Sequence, residues 1–224
     1  MRIDEKRIRE CFQGPLQYSI QNVNGNRSSK RTDILNDKVV ALIMPLLPDP
    51  GGWKVCAEER IPCARRKKGT KAKTFTVDLL FLHVATGRKI YVLIKSIEAS
   101  YNKNKENFAN TTIGEVQRIY GRSEFYGTRL CQERKNDATL FLTFIAEELP
   151  MGNKVEKINL TCVDIDDLRL FNKNIHQATA ILSVMAAPTN KAQLLNNLGG
   201  VKNLNEFIKD LKGLRENVEQ ILCV

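Results

Sequence analysis

Two apolar runs joined by a short turn constrain the fold of this chain more than any other feature. The first run covers residues 76–83 and is rich in leucine, and the second covers residues 90–96 and is rich in isoleucine, valine and leucine. Gly87 lies between them and supplies the backbone freedom that a tight reversal needs. The pattern therefore predicts a β-hairpin. Its first strand is apolar at successive positions, which is typical of a strand covered on both faces.

Helical and extended patterns alternate around this hairpin. The predicted core elements are a helix over residues 33–46, strands over 53–61, 75–83, 90–96 and 138–145, and a helix over 112–120. This order predicts an α/β fold with a mixed central β-sheet flanked by helices. The length of 224 residues suits a single domain, with a core over about 37–147 and a C-terminal helical region over about 166–224.

The remaining segments carry weaker signals. They predict a short helix over residues 2–12, a polar loop over 13–32, helices over 166–187 and 204–222, and a fifth strand that residues 158–163 can form. The last helix has apolar residues in regular helical register, which suits either a core helix or a dimer contact.

Composition bounds the class of protein. The net charge of +10 favours polyanionic partners such as nucleic acid, although charge alone does not specify one. Since no run of about 20 apolar residues and no signal-peptide pattern is present, we expect a cytoplasmic protein. The six cysteines are scattered without metal-ligand spacing, so we expect reduced thiols and no zinc site.

Two charged residues stand in the apolar hairpin, and together they suggest a chemistry. Asp78 begins the first strand and Lys95 ends the second, so pairing of the strands brings them together. A carboxylate can hold a divalent cation, and an ammonium group can orient water or stabilise charge that develops on phosphorus. Each residue alone has an ordinary explanation, as a turn carboxylate or as an edge lysine.

The aspartate and the lysine in strands of this order resemble the core of the PD-(D/E)xK nucleases, the restriction-enzyme and junction-resolvase superfamily. The resemblance covers roughly residues 37–147. It implies an αβββαβ core and a type II restriction endonuclease that cleaves double-stranded DNA at specific sequences with Mg²⁺, usually as a homodimer. Asp78 would be a metal ligand and Lys95 the catalytic lysine. A glutamate of the first strand often supports such a site, and Glu59 is our choice over Glu58.

One position departs from the family pattern. The second acid of the family stands two residues before the lysine, where this chain has Leu93. Three explanations remain open. The acid has moved to another element, with Glu98, Glu106 and Glu115 as candidates, and related restriction enzymes place it on the helix after the lysine strand. Alternatively, position 93 was changed to inactivate a toxic enzyme, or the chain binds DNA without cutting it.

The resemblance and the charge together suggest where DNA would bind. The candidate residues are a basic run and the predicted helix after the hairpin: Arg65, Arg66, Lys67, Lys68, Lys71, Lys73, Gln117 and Arg118. A junction or repair nuclease of the same fold and a non-catalytic DNA-binding protein are the alternatives. An RNA-binding protein is a weaker one, because the basic segments lack the aromatic residues on which RNA bases stack.

Overall fold

The computed structural model describes most of the N-terminal half of the chain and separate elements of the C-terminal half. The described residues are 3, 5–22, 29–62, 74–97, 114–115, 118–119, 137–146, 148–151, 154–157, 179–186, 201–202 and 204–223. The helices are α1 (Glu5–Gln21), α2 (Ser29–Ile43) and α3 (Leu204–Leu222). Two short 3₁₀ turns, Met44–Leu46 and Pro50–Gly52, lead from α2 into the sheet.

The strands form one large sheet and one small hairpin. They are β1 (Trp53–Pro62), β2 (Thr74–His83), β3 (Lys89–Ile97), β4 (Ala138–Ala146), β5 (Glu148–Met151), β6 (Lys154–Lys157), β7 (Thr179–Ala186) and β8 (Val201–Lys202). The large sheet has the order β1-β2-β3-β4-β7-β8, and β5 pairs with β6 separately. β1, β2 and β3 are antiparallel, β3, β4 and β7 are parallel, and β8 is antiparallel to β7. The predicted α/β class with a mixed sheet is thus confirmed.

Side chains alternate between the two faces of this sheet, as strand geometry requires. On β3 the residues Ile90, Val92 and Ile94 face the main hydrophobic core, together with alternate residues of β4. The core also takes in buried residues of α1, α2 and α3, and Phe144 of β4 meets Phe207 of α3 with ring centroids 6.1 Å apart. The opposite face of β3 therefore carries Tyr91, Leu93 and Lys95.

The hairpin of β2 and β3 is stabilised at the end where the chain reverses. Gly87 has a φ of +68°, which a glycine adopts without the steric cost that a Cβ would bring. The carboxylate of Asp137, just before β4, accepts hydrogen bonds from the backbone N–H of Lys89 and the hydroxyl of Tyr91, each at 3.0 Å. These bonds attach the start of β3 to β4 and so help to set the register of the parallel pair.

Two predictions about local structure were wrong. The polar residues 13–32 are not one loop, because α1 continues to Gln21 through Pro15 and α2 begins at Ser29. The burial of Cys11 and Leu16 against α2 outweighs the weak helical signal of this polar stretch. Residues 179–186 are not helical but form β7, because this apolar stretch pairs in parallel with β4. Tertiary pairing here overrides local preference.

The other predicted elements agree well with the structure. α2, β1, β2, β3, β4 and α3 lie within a few residues of the predicted ranges, and α3 covers 204–222 as expected. The fifth strand predicted over 158–163 lies outside the described residues, as do residues 166–178 of the predicted helix over 166–187. The β5–β6 hairpin was not predicted. In the described part of the chain, no helix has the length and apolar character needed to cross a membrane.

Candidate active site

Asp78 lies where the β2–β3 ladder ends. The last paired residues of this ladder are Leu79 and Val92. Beyond them, the main chain of β2 does not pair with the main chain of β3. Instead, Oδ2 of Asp78 accepts a hydrogen bond from the backbone N–H of Ile94 at 2.6 Å. This bond holds the carboxylate against β3, directly before Lys95.

Lys95 meets a carboxylate that comes from a separate part of the chain. Its Nζ donates a hydrogen bond to Oε1 of Glu115 at 2.8 Å, and the two groups form an ion pair. Gly114, Glu115, Arg118 and Ile119 are helical, as the predicted helix over 112–120 requires. Ile119 is fully buried, which anchors these helical residues and brings Glu115 to Lys95.

The second oxygen of Glu115 has no partner. Glu115 is only 8% exposed, and its Oε2 is buried without a hydrogen bond. A buried carboxylate oxygen normally has a donor or a cation beside it, because burial without one is costly. The site therefore has unsatisfied acceptor capacity next to Lys95.

The carboxyl group of Asp78 is also in an environment that disfavours its negative charge. Burial raises the pKa of its carboxyl above the usual value, and the negative charges of Glu115 and Glu58 act in the same direction. The hydrogen bond from Ile94 and the positive charge of Lys95 lower this pKa, but the rise prevails. A bound cation would relieve this cost.

Glu58, rather than Glu59, is the first-strand acid that acts on Asp78. Ala57 pairs with Leu79 and Glu59 pairs with Val77, so Glu58 lies opposite Asp78 in the antiparallel register. Glu58 has a φ of +50°, an uncommon conformation for a residue other than glycine. Our choice of Glu59 from the sequence is not supported, because Glu59 lies opposite Val77, and only the register of β1 against β2 distinguishes it from Glu58.

Leu93 lies on the face of β3 that carries Lys95, and it is 1% exposed. It is opposite Phe141 of β4 in the parallel register. The position of the missing acid is thus filled by a fully packed apolar side chain. Of the three glutamates considered as replacements, Glu115 reaches Lys95, whereas Glu98 and Glu106 lie outside the described residues.

The predicted DNA-binding residues fall largely outside the described part. The basic run (Arg65, Arg66, Lys67, Lys68, Lys71 and Lys73) and Gln117 are not among the described residues. Arg118 is described: it is exposed, and the centre of its guanidinium lies 5.7 Å from the centroid of the Phe75 ring. Phe75 is a neighbour that the sequence did not single out.

The donor set fits a small, hard cation better than a soft metal. Asp78 and Glu115 offer carboxylate oxygens, which Mg²⁺ prefers, and Mg²⁺ commonly takes one or two carboxylates with water and phosphate oxygens as further ligands. Among the described residues, no three His, Cys, Asp or Glu side chains are grouped closely enough to hold a metal by themselves. A site built from these residues would therefore need water or substrate to complete it.

Comparison with known proteins gives no independent assignment. No protein family, curated protein or solved structure matches this chain.

Proposed function

We propose that this chain is a type II restriction endonuclease-like enzyme that hydrolyses phosphodiester bonds of double-stranded DNA with Mg²⁺ on an αβββαβ core. The observation that carries the proposal is the position of Glu115. It joins Lys95 on one side of the sheet, beside Asp78, and has a buried oxygen without a partner. This arrangement favours migration of the second acid from position 93 to the helical residues after the lysine strand.

The three charged groups would have distinct roles. Asp78 and Glu115 would hold Mg²⁺, which when bound lowers the pKa of water and stabilises charge on the phosphate. Lys95 is 30% exposed at its side chain, so it can reach substrate while it remains attached to Glu115. Its ammonium group would orient the attacking water or stabilise the negative charge that develops on the phosphoryl oxygens.

Double-stranded DNA is the substrate that the charge of the protein favours. A net charge of +10 attracts a polyanion and accelerates its encounter with the protein. Two sites are needed to cut both strands of a symmetric sequence, and we therefore propose that the active form is a homodimer.

A plasmid cleavage assay tests the proposal. We expect nicking or linearisation with Mg²⁺ and none in EDTA. Asp78→Asn, Lys95→Met and Glu115→Gln should each lower the cleavage rate by about 100-fold or more, as losses of charge-stabilising groups typically do. Glu219→Gln is the matched control, because Glu219 also forms an ion pair, with Arg215 on α3, but far along the chain from the site. Its cleavage rate should equal that of the unmodified protein.

The result also separates the alternatives. If plasmid is not cut but a branched duplex is, the chain is a junction or repair nuclease of the same fold. If no duplex, branched or single-stranded DNA is cut with Mg²⁺ or Mn²⁺, the nuclease proposal fails. The chain would then be a DNA-binding protein without catalytic activity. The observation that favours this second function is that the buried Leu93 stands in place of an acid.

A further inference from the structure

Arg118 and Phe75 form a contact at the edge of the proposed site. Glu115 and Arg118 are both helical and stand three residues apart, the spacing at which side chains on one helix are neighbours. A spacing of three helical residues corresponds to a rise of about 4.5 Å. Phe75 precedes Asp78 by three residues on β2, and its ring is half-buried beneath the guanidinium.

The charge of Arg118 is not neutralised within the described part of the chain. The ion pairs among the described residues do not include Arg118. Glu115, which is near Arg118 in the chain, is paired with Lys95. A guanidinium that stacks on an aromatic ring keeps its positive charge, and its N–H donors at the edge remain able to bind an anion. A guanidinium positioned in this way can bind a phosphate group through its charge and its N–H donors.

We infer that Arg118 binds a backbone phosphate of DNA next to the phosphate that is cleaved, and that Phe75 positions its guanidinium. The inference rests on the proposed function, because it takes the site beside Lys95 as the place of the scissile phosphate. The spacing is consistent with this, since phosphates along one strand follow each other at about 3.4 Å of helix axis. A phosphate next to the scissile one would therefore lie within reach of a long cationic side chain three residues from Glu115.

The salt dependence of binding tests the contact with phosphate. Binding of a short fluorescent duplex of arbitrary sequence is measured in EDTA, where no cleavage occurs, over a series of salt concentrations. Removing one phosphate contact should reduce the slope of log affinity against log salt by about 0.9. Arg118→Ala should show this loss and Arg118→Lys should retain the slope. Lys209→Ala, on the exposed side of α3, is the control for the change in net charge and should leave the slope unchanged.

A double-mutant cycle tests the role of Phe75. Phe75→Leu keeps an apolar side chain but removes the aromatic face, so it should weaken binding by about two- to five-fold, as expected for an exposed cation–π contact. In the Arg118→Ala background the same change should have no further effect. If Phe75 had only a structural role, the loss would persist in that background, and the positioning role would be refuted.

These outcomes are distinct from those of the proposed function. An unchanged slope in Arg118→Ala overturns the inference even if the protein cleaves DNA. A slope reduced by about one supports it even if the protein proves to bind DNA without cleavage. A protein that does not bind the duplex at all refutes both.

Discussion

Exchange of the carboxylate between positions 93 and 115 is the sharpest test of how this site is built. Leu93 is 1% exposed, and burial of such a side chain contributes about 1.5–3 kcal/mol to stability. Leu93→Glu removes this contribution. It also places a carboxylate on the face that already holds Asp78 and Glu115, and a buried charge without a cation costs further free energy.

We expect Leu93→Glu to lower the free energy of unfolding in EDTA by about 3 kcal/mol or more. Leu93→Gln is the matched control, because the amide has nearly the same shape without the charge. It should be less destabilising by about 1 kcal/mol or more. Urea unfolding measures both values. Addition of Mg²⁺ should reduce the difference in unfolding free energy between Leu93→Glu and Leu93→Gln. A cation near Asp78 would compensate the negative charge of the added carboxylate.

Cleavage of plasmid DNA completes the test. If Glu115 is the second acid, Leu93→Glu alone should not increase cleavage, and Glu115→Ala should abolish it. The double variant Leu93→Glu/Glu115→Ala should recover part of the activity, because it restores the number of carboxylates beside Lys95. Cleavage by Leu93→Glu that greatly exceeds that of the unmodified protein would refute the reasoning, and would show instead that the acid at position 93 had been lost.

Three further predictions concern stability. Burial raises the pKa of the Cys11 thiol from 9.0 to about 12, so the folded state keeps a proton that the unfolded state loses above pH 9.0. Stability is therefore lost as pH rises from 9.0, and the difference in unfolding free energy between unmodified protein and Cys11→Ala should shrink by about 1.4 kcal/mol from about pH 8 to about pH 10. Gly52→Ala should destabilise the fold by about 1–3 kcal/mol in urea unfolding, because the added Cβ would overlap neighbouring side chains, whereas Gly51→Ala has space. Asp137→Ala should cost about 2–4 kcal/mol and Tyr91→Phe about 1 kcal/mol in the same assay, since the first change removes the acceptor of one buried and one part-buried hydrogen bond and the second removes one hydrogen bond.

Each of these predictions has a result that would contradict it. A difference between unmodified protein and Cys11→Ala that stays constant between the two pH values would mean that the thiol is not buried as described. Equal stability of the Gly51 and Gly52 variants would mean that the turn before β1 is looser than described. If Tyr91→Phe costs as much as Asp137→Ala, the hydrogen bond to the backbone of Lys89 contributes nothing measurable.

Local sequence patterns determined most of the individual elements. The hairpin of β2 and β3 follows from two apolar runs around Gly87, and α3 follows from regular helical spacing of apolar residues. These signals are strong because a few neighbouring residues decide them. The same local patterns placed Asp78 and Lys95 at the ends of paired strands. These two residues of the candidate site could therefore be derived from the sequence.

Tertiary pairing decided the elements whose local signal is ambiguous. Residues 179–186 are apolar without a clear period, and such a run suits a buried helix or a buried strand equally well. It is a strand here because β4 offers a parallel partner along its whole length. Likewise, α1 extends through Pro15 because packing against α2 outweighs a weak intrinsic preference.

The composition of the candidate site shows the same division. The sequence determined that one acid, one lysine and an apolar Leu93 stand on this hairpin, since strand periodicity alone assigns their faces. Only the tertiary structure decided that Glu115 supplies the partner of Lys95, and that Glu58 rather than Glu59 acts on Asp78. Both depend on contacts between elements, through helix packing and strand register, and the spacing of residues along the chain does not encode either one.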